Sequence, residues 1–246
     1  QFAFAQEETS PPITTRFEQT PIYPFVGSEW TSDTGTAHWG NNPQYGWRTY
    51  ESFELPSAEI LTGFRWLITM IDYVTWRNNP VDSFVDEWEL TIYEDDNGKP
   101  GDVLYSEQIT NDQLSVTRLA NVYSERREVE AATYECEWTP SESFHAEPGK
   151  TYWFSPLSKS ETFNPITTWA ASTAQGNPFR RESSFLAVAW GACLQNGVDA
   201  NDKKEFVDRG GDRALILLGH PAKDADSDGM DDAWEQLQGF DVALND

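Results

Sequence analysis

Trp88-Glu-Leu-Thr-Ile-Tyr-Glu-Asp-Asp-Asn-Gly-Lys-Pro-Gly-Asp-Val-Leu-Tyr105 reads as strand, turn, strand. Trp88, Leu90 and Ile92 alternate with Glu87, Glu89 and Thr91, the period of a half-buried strand. Asp95 to Gly101 then gathers Asp, Asn, Gly, Pro and Gly, the residues that suit tight or left-handed backbone. A second strand follows over Val103 to Ile109.

The same pattern extends both ways. Tyr50 to Leu55 alternates until Pro56-Ser57, and Ile60 to Ile71 is a long apolar run. Asn78-Asn79-Pro80 marks a turn. Val129 to Trp138 reads as a strand, and Glu147-Pro148-Gly149-Lys150 turns into Thr151 to Phe154. Ile166 to Ala171, Phe185 to Trp190 and Arg213 to Leu218 complete about nine strands. Helical periodicity is almost absent, and there is no βαβ alternation, internal repeat or low-complexity tract. These features predict an all-β chain, an antiparallel β-sandwich of jelly-roll-like type. Residues 1–25, rich in Thr, Pro, Glu and Gln, read as an extended N-terminal arm. Phe2 and Phe4 alternate with small residues, as in a strand that adds to a sheet edge; a frayed terminus is the plainer alternative. Residues 26–219 are the expected sandwich domain. Residues 220–246 form an acidic tail with one helix, from about Asp231 to Gln238, ending at Gly239.

The chain carries 17 basic and 41 acidic residues, a net charge of −24. That charge repels nucleic acid and anionic membrane surfaces. No apolar run approaches the ~20 residues of a membrane span. An acidic surface suits a salty or calcium-rich medium, or simply keeps the protein soluble. Gln1-Phe-Ala-Phe-Ala5-Gln6 contains an Ala-x-Ala pattern like the end of a secretory signal, which implies export to the cell surface or medium unless the match is chance. In an exported chain Cys136 and Cys193 are expected to pair as a disulfide; the alternative is two separate buried thiols. No Asn-x-Ser/Thr sequon occurs.

Two resemblances follow from these residues. Trp88 to Tyr105, with Glu147-Pro-Gly-Lys-Thr-Tyr-Trp-Phe154, Ile60 to Trp66 and Thr168-Trp169, resembles a β-sandwich domain of secreted proteins from planctomycetes and related bacteria. The likeness covers roughly residues 48–219 and implies a fold rather than an activity. Asn111 to Arg127 and the acidic stretch Asp199 to Asp212 depart from that pattern, so functions borne on its loops are not carried over. The tail is similar to the calcium repeats of dockerins and thrombospondin type 3 modules, with one complete loop; Asn245-Asp246 reads as the start of another.

Asp224-Ala-Asp226-Ser-Asp228-Gly229-Met-Asp-Asp232-Ala-Trp-Glu235 meets the twelve-position EF-hand pattern at each ligand position. Calcium takes six to eight oxygens. Asp224, Asp226 and Asp228 would supply side-chain oxygens, and Gly229 the sharp bend. Met230 would supply its carbonyl, Asp232 the ninth position, often through water, and Glu235 a bidentate carboxylate. The alternative is an acidic linker that matches by accident.

Trp39, Tyr45, Trp47, Trp76 and Trp169 lie among Asn, Gln, Thr and Gly, with Arg77, Asn78 and Asn79 after Trp76. Flat aromatic faces beside amides and Arg suit a sugar ring. Most Trp residues of a sandwich are core, and Trp66, Trp88, Trp138, Trp153 and Trp190 read so. Catalysis has little support. His38, His145 and His220 are far apart in sequence without metal-ligand spacing, and no nucleophile elbow, phosphate loop or Cys-x-x-Cys occurs. The expectation is a non-catalytic extracellular module that binds calcium and a glycan. One alternative is a structural subunit of a surface, matrix or filament assembly, its arm pairing with neighbouring subunits. A hidden glycan-active hydrolase is the third reading.

Overall fold

A computed structural model describes residues 12–20, 35–36, 46–71, 87–119, 122–124, 129–159, 166–169, 172, 180–184, 205–208, 213–223 and 232. The described chain is all-β. Its strands are β1 (Thr14–Gln19), β2 (Gly35–Thr36), β3 (Gly46–Glu54), β4 (Glu59–Ile71), β5 (Glu87–Asp95), β6 (Pro100–Thr110), β7 (Ser115–Arg118), β8 (Val122–Ser124), β9 (Val129–Trp138) and β10 (Phe144–Ala146). Then come β11 (Thr151–Lys159), β12 (Ile166–Trp169), β13 (Arg180–Ser184), β14 (Glu205–Asp208) and β15 (Leu215–Pro221). One 3-10 turn, Asn111–Gln113, joins β6 to β7.

An eight-stranded sheet runs β1-β15-β4-β9-β7, with β10 and β12 also on β4 and β8 on β9. A seven-stranded sheet runs β14-β13-β3-β11-β5-β6, with β2 on β11. The described pairings are antiparallel except β2 with β11. β4 is the spine of the first sheet. Ile60 lies opposite both His220 and His145, and Ile68 opposite both Tyr134 and Trp169, so neighbours flank β4 on both sides. Phe64, Trp66 and Ile68 are buried on one face of β4 and Leu67 on the other, so this strand does not alternate cleanly and its text reads as a long, largely apolar stretch from Ile60 to Ile71. Thr62 has no counterpart on β15, since Leu61 faces Gly219 and Gly63 faces Leu218. This bulge lets Leu61 and Phe64 both reach the core despite their odd spacing.

Aromatic pairs join the two sheets. Phe64 lies 5.0 Å from Phe154, Trp66 5.6 Å from Trp88, and Phe17 6.3 Å from Phe53, between ring centres. Contacts of this kind each add about 1 kcal/mol beyond burial. Trp66, Trp88 and Trp138 belong to this core and Trp153 is likewise buried, as expected of them; Trp190 lies outside the described residues. The β5–β6 turn is built by its own residues. Asn97 and Gly98 take φ of 55° and 77°. Asp95 accepts the Gly98 N–H through one oxygen and the Trp153 indole N–H through the other.

Three expectations need correction or restriction. Residues 14–19, placed in the extended arm of residues 1–25 outside the sandwich domain, form β1 and pair with β15, with Gln19 buried and Phe17 packed on the core. The Asn111 to Arg127 stretch supplies β7 and β8. The Phe185 to Trp190 strand lies outside the described residues, as does the tail helix apart from Asp232.

Candidate functional site

β15 ends at Pro221, and the following Ala222 N–H donates to the Ala58 carbonyl at 3.0 Å. The root of the acidic tail is therefore tied to the turn before β4. Lys223 comes next, and the Asp232 N–H donates to its carbonyl at 2.7 Å. Two residues nine positions apart thus meet at the neck of the calcium-type segment. Asp232 is 8% exposed, and its carboxylate faces the Lys223 ammonium at 3.8 Å. Lys223 reaches into solvent, so this ion pair adds little to stability. Asp224, Asp226, Asp228, Met230 and Glu235 lie outside the described residues, and among the described residues no group of three or more His, Cys, Asp or Glu is placed to hold a metal ion.

The aromatic candidates divide. Trp39, Tyr45, Trp76, Arg77 and Asn78 lie outside the described residues. The backbone of Trp47 is in β3, opposite Ser183. Trp169 does not belong to a sugar-facing platform. It is 1% exposed, stands edge-on to Phe154 with centres 6.0 Å apart, and donates its indole N–H to the Ala214 carbonyl at 2.7 Å. Polar neighbours in the sequence suggested a ring turned to ligand, but β12 carries it into the core.

Cys136 is a free, buried thiol on β9; Cys193 lies outside the described residues. Burial, and next the adjacent Glu135 charge, push the Cys136 thiol well above its usual value of 9.0. It therefore stays protonated and unreactive at neutral pH.

Several polar groups that sequence reasoning passed over are buried. Glu51 shares the core side of β3 with Phe53, accepts the Arg213 backbone N–H at 2.7 Å and meets Gln19 at 3.5 Å. Glu59 accepts from Arg16 and from Ser57. These contacts tie β1 and the segment before β15 into the structure, an anchoring role. Period two already put Glu51 on the face of Phe53, so that signal was present. His145 and His220 face Ile60 from opposite sides, about 10 Å apart across two strand spacings, which no sequence spacing announces. Comparison with family models, curated proteins and solved structures finds no match.

Proposed function

We propose that this chain is a secreted, non-catalytic, calcium-binding β-sandwich module of jelly-roll type that serves extracellular attachment, with a neutral glycan as its ligand. One observation carries the reading: a complete twelve-position set of oxygen donors, Asp224 to Glu235, begins two residues after a backbone bond to the turn before β4. Calcium there would offset the mutual repulsion of Asp224, Asp226, Asp228, Asp232 and Glu235. The sandwich reading is supported by the aromatic pairs that join the two sheets, and the extracellular reading by the resemblance to secreted bacterial domains and dockerin-type repeats. The net charge of −24 selects a neutral polymer over a sulfated or uronic one, and speaks against nucleic acid or membrane insertion.

Titration calorimetry with calcium tests the metal. Binding is expected for the native chain and is expected to vanish in Glu235→Gln; binding that survives the substitution places the ion elsewhere. Retention in gels containing a panel of polysaccharides, with calcium and with chelator, tests the ligand. A structural subunit is the second reading, favoured by the apolar residues exposed on the flanks of the sheets.

A further inference from the structure

Glu59, the first residue of β4, lies opposite both Ala146 of β10 and Pro221 of β15. The turn before it is pinned from two directions. The Gly149 N–H donates to the Leu55 carbonyl at 2.8 Å, and the Ser57 hydroxyl to the buried Glu59 carboxylate at 2.8 Å. The bond from the Ala222 N–H to the Ala58 carbonyl carries the β15–β4 pairing one residue past the strand. The chain therefore leaves the sheet from a fixed point. Lys223 comes next, and its carbonyl accepts the Asp232 N–H. In the twelve-position pattern Lys223 stands immediately before the first donor, Asp224, and Asp232 is the ninth position. One backbone bond thus ties two distant parts of the donor segment to the same root.

We propose that the Ala58–Ala222 and Lys223–Asp232 bonds couple the calcium segment to the β4–β15 end of the sheet, so that the sandwich positions the donors and the ion in turn strengthens that end. The inference rests on the calcium reading above and adds the residues that position the site. Holding Asp224 and Asp232 to one ion requires Lys223 and Asp232 to stay close, which the bond between them already ensures. A root ordered beforehand reduces the entropy lost when the donors gather. The coupling is reciprocal: calcium must strengthen these bonds by the factor by which they strengthen calcium binding. The net worth of one such hydrogen bond corresponds to about fivefold in affinity.

Amide hydrogen exchange of the native chain, read by nuclear magnetic resonance with calcium and with chelator, tests it beside calcium calorimetry of two variants. Calcium is expected to slow exchange at the Ala222 and Asp232 amides about fivefold or more. Ala222 lies outside the donor segment, so protection there reports that the ion acts on the root. Ala222→Pro, which lacks the N–H, is expected to weaken calcium binding about fivefold with near-ultraviolet circular dichroism unchanged. Ala222→Ser keeps the N–H and is expected to bind calcium as the native chain does. The exchange measurement needs no variant and decides the matter even where Ala222→Pro fails to fold. An Ala222 amide indifferent to calcium, or a folded Ala222→Pro chain with native affinity, overturns the coupling and leaves the metal site standing. A native chain that binds no calcium in calorimetry overturns the calcium reading and this inference with it.

Discussion

Gly219 on β15 crosses β4 so closely that the Ile60 carbonyl oxygen occupies the space where a Cβ would stand. The crossing sits beside the bulge at Thr62. Only a residue without a side chain lets β15 keep its register against both halves of β4.

Gly219→Ala is therefore expected to cost about 3 kcal/mol, because backbone must move to admit a methyl group. Gly63→Ala is the control. Its Cβ would meet the Cβ and Cδ1 of Leu218 at 3.2 Å; the Cδ1 can turn aside and the Cβ need give by only a few tenths of an ångström, for a loss of about 1 kcal/mol. Urea denaturation of both variants checks the order; equal losses would show that the Ile60 crossing is not the constraint.

Trp169→Phe keeps a ring beside Phe154 and removes the donor to the Ala214 carbonyl. Leaving that carbonyl buried without its partner is expected to cost about 2 kcal/mol. Glycan retention in gels is expected to remain native, since the ring is interior. Loss of retention in a fully folded variant would return Trp169 to the ligand site.

The Cys136 thiol has its folded value raised above 9.0 by burial. Its share of stability is complete below that pH and is lost as pH rises from there through the folded value, because the unfolded chain then gives up the proton more readily. Tyr152, raised above 10.0 chiefly by burial, acts in the same direction at still higher pH. Thermal melts of native protein and Cys136→Ala are expected to converge as pH rises above 9. Native Cys136 is expected to resist alkylation at pH 8 and to react once urea unfolds the chain, as read by peptide mass spectrometry. A Cys136–Cys193 peptide in the non-reduced digest would establish the bond instead.

Calcium at one hundred times its dissociation constant is expected to stabilise the folded chain by about 2.7 kcal/mol if the unfolded chain does not bind it. Lys223→Met removes the ammonium that faces Asp232 and is expected to tighten calcium about twofold, the scale of a solvent-exposed ion pair. Weaker binding in this variant would mean that Lys223 helps to shape the loop and does not compete with the ion.

Period two in Trp88 to Ile92 and the turn chemistry of Asp95 to Gly101 are local, and β5, its turn and β6 follow from them. Val129 to Trp138 coincides with β9 to the residue. β7, β8, β13 and β14 were not legible, because strands of three to five residues are too short to display an alternation. Trp169 was misassigned since its burial depends on β4 and on Ala214, far away in sequence. Of the candidate calcium ligands, the acidic spacing was legible in full, while the neck formed by Lys223 and Asp232 was not.

Sequence by itself determined the all-β class, the principal strands and the run of oxygen donors from Asp224 to Glu235, because alternation, turn propensity and ligand spacing are properties of neighbouring residues. Tertiary structure alone decided that β1 joins the first sheet through β15, that β4 gathers β9, β10, β12 and β15, and that Trp169 is interior. Strand pairing is settled by which apolar faces can be covered together while every backbone group finds a partner. That condition joins residues 14 and 219 as readily as 93 and 103, and no local pattern records it.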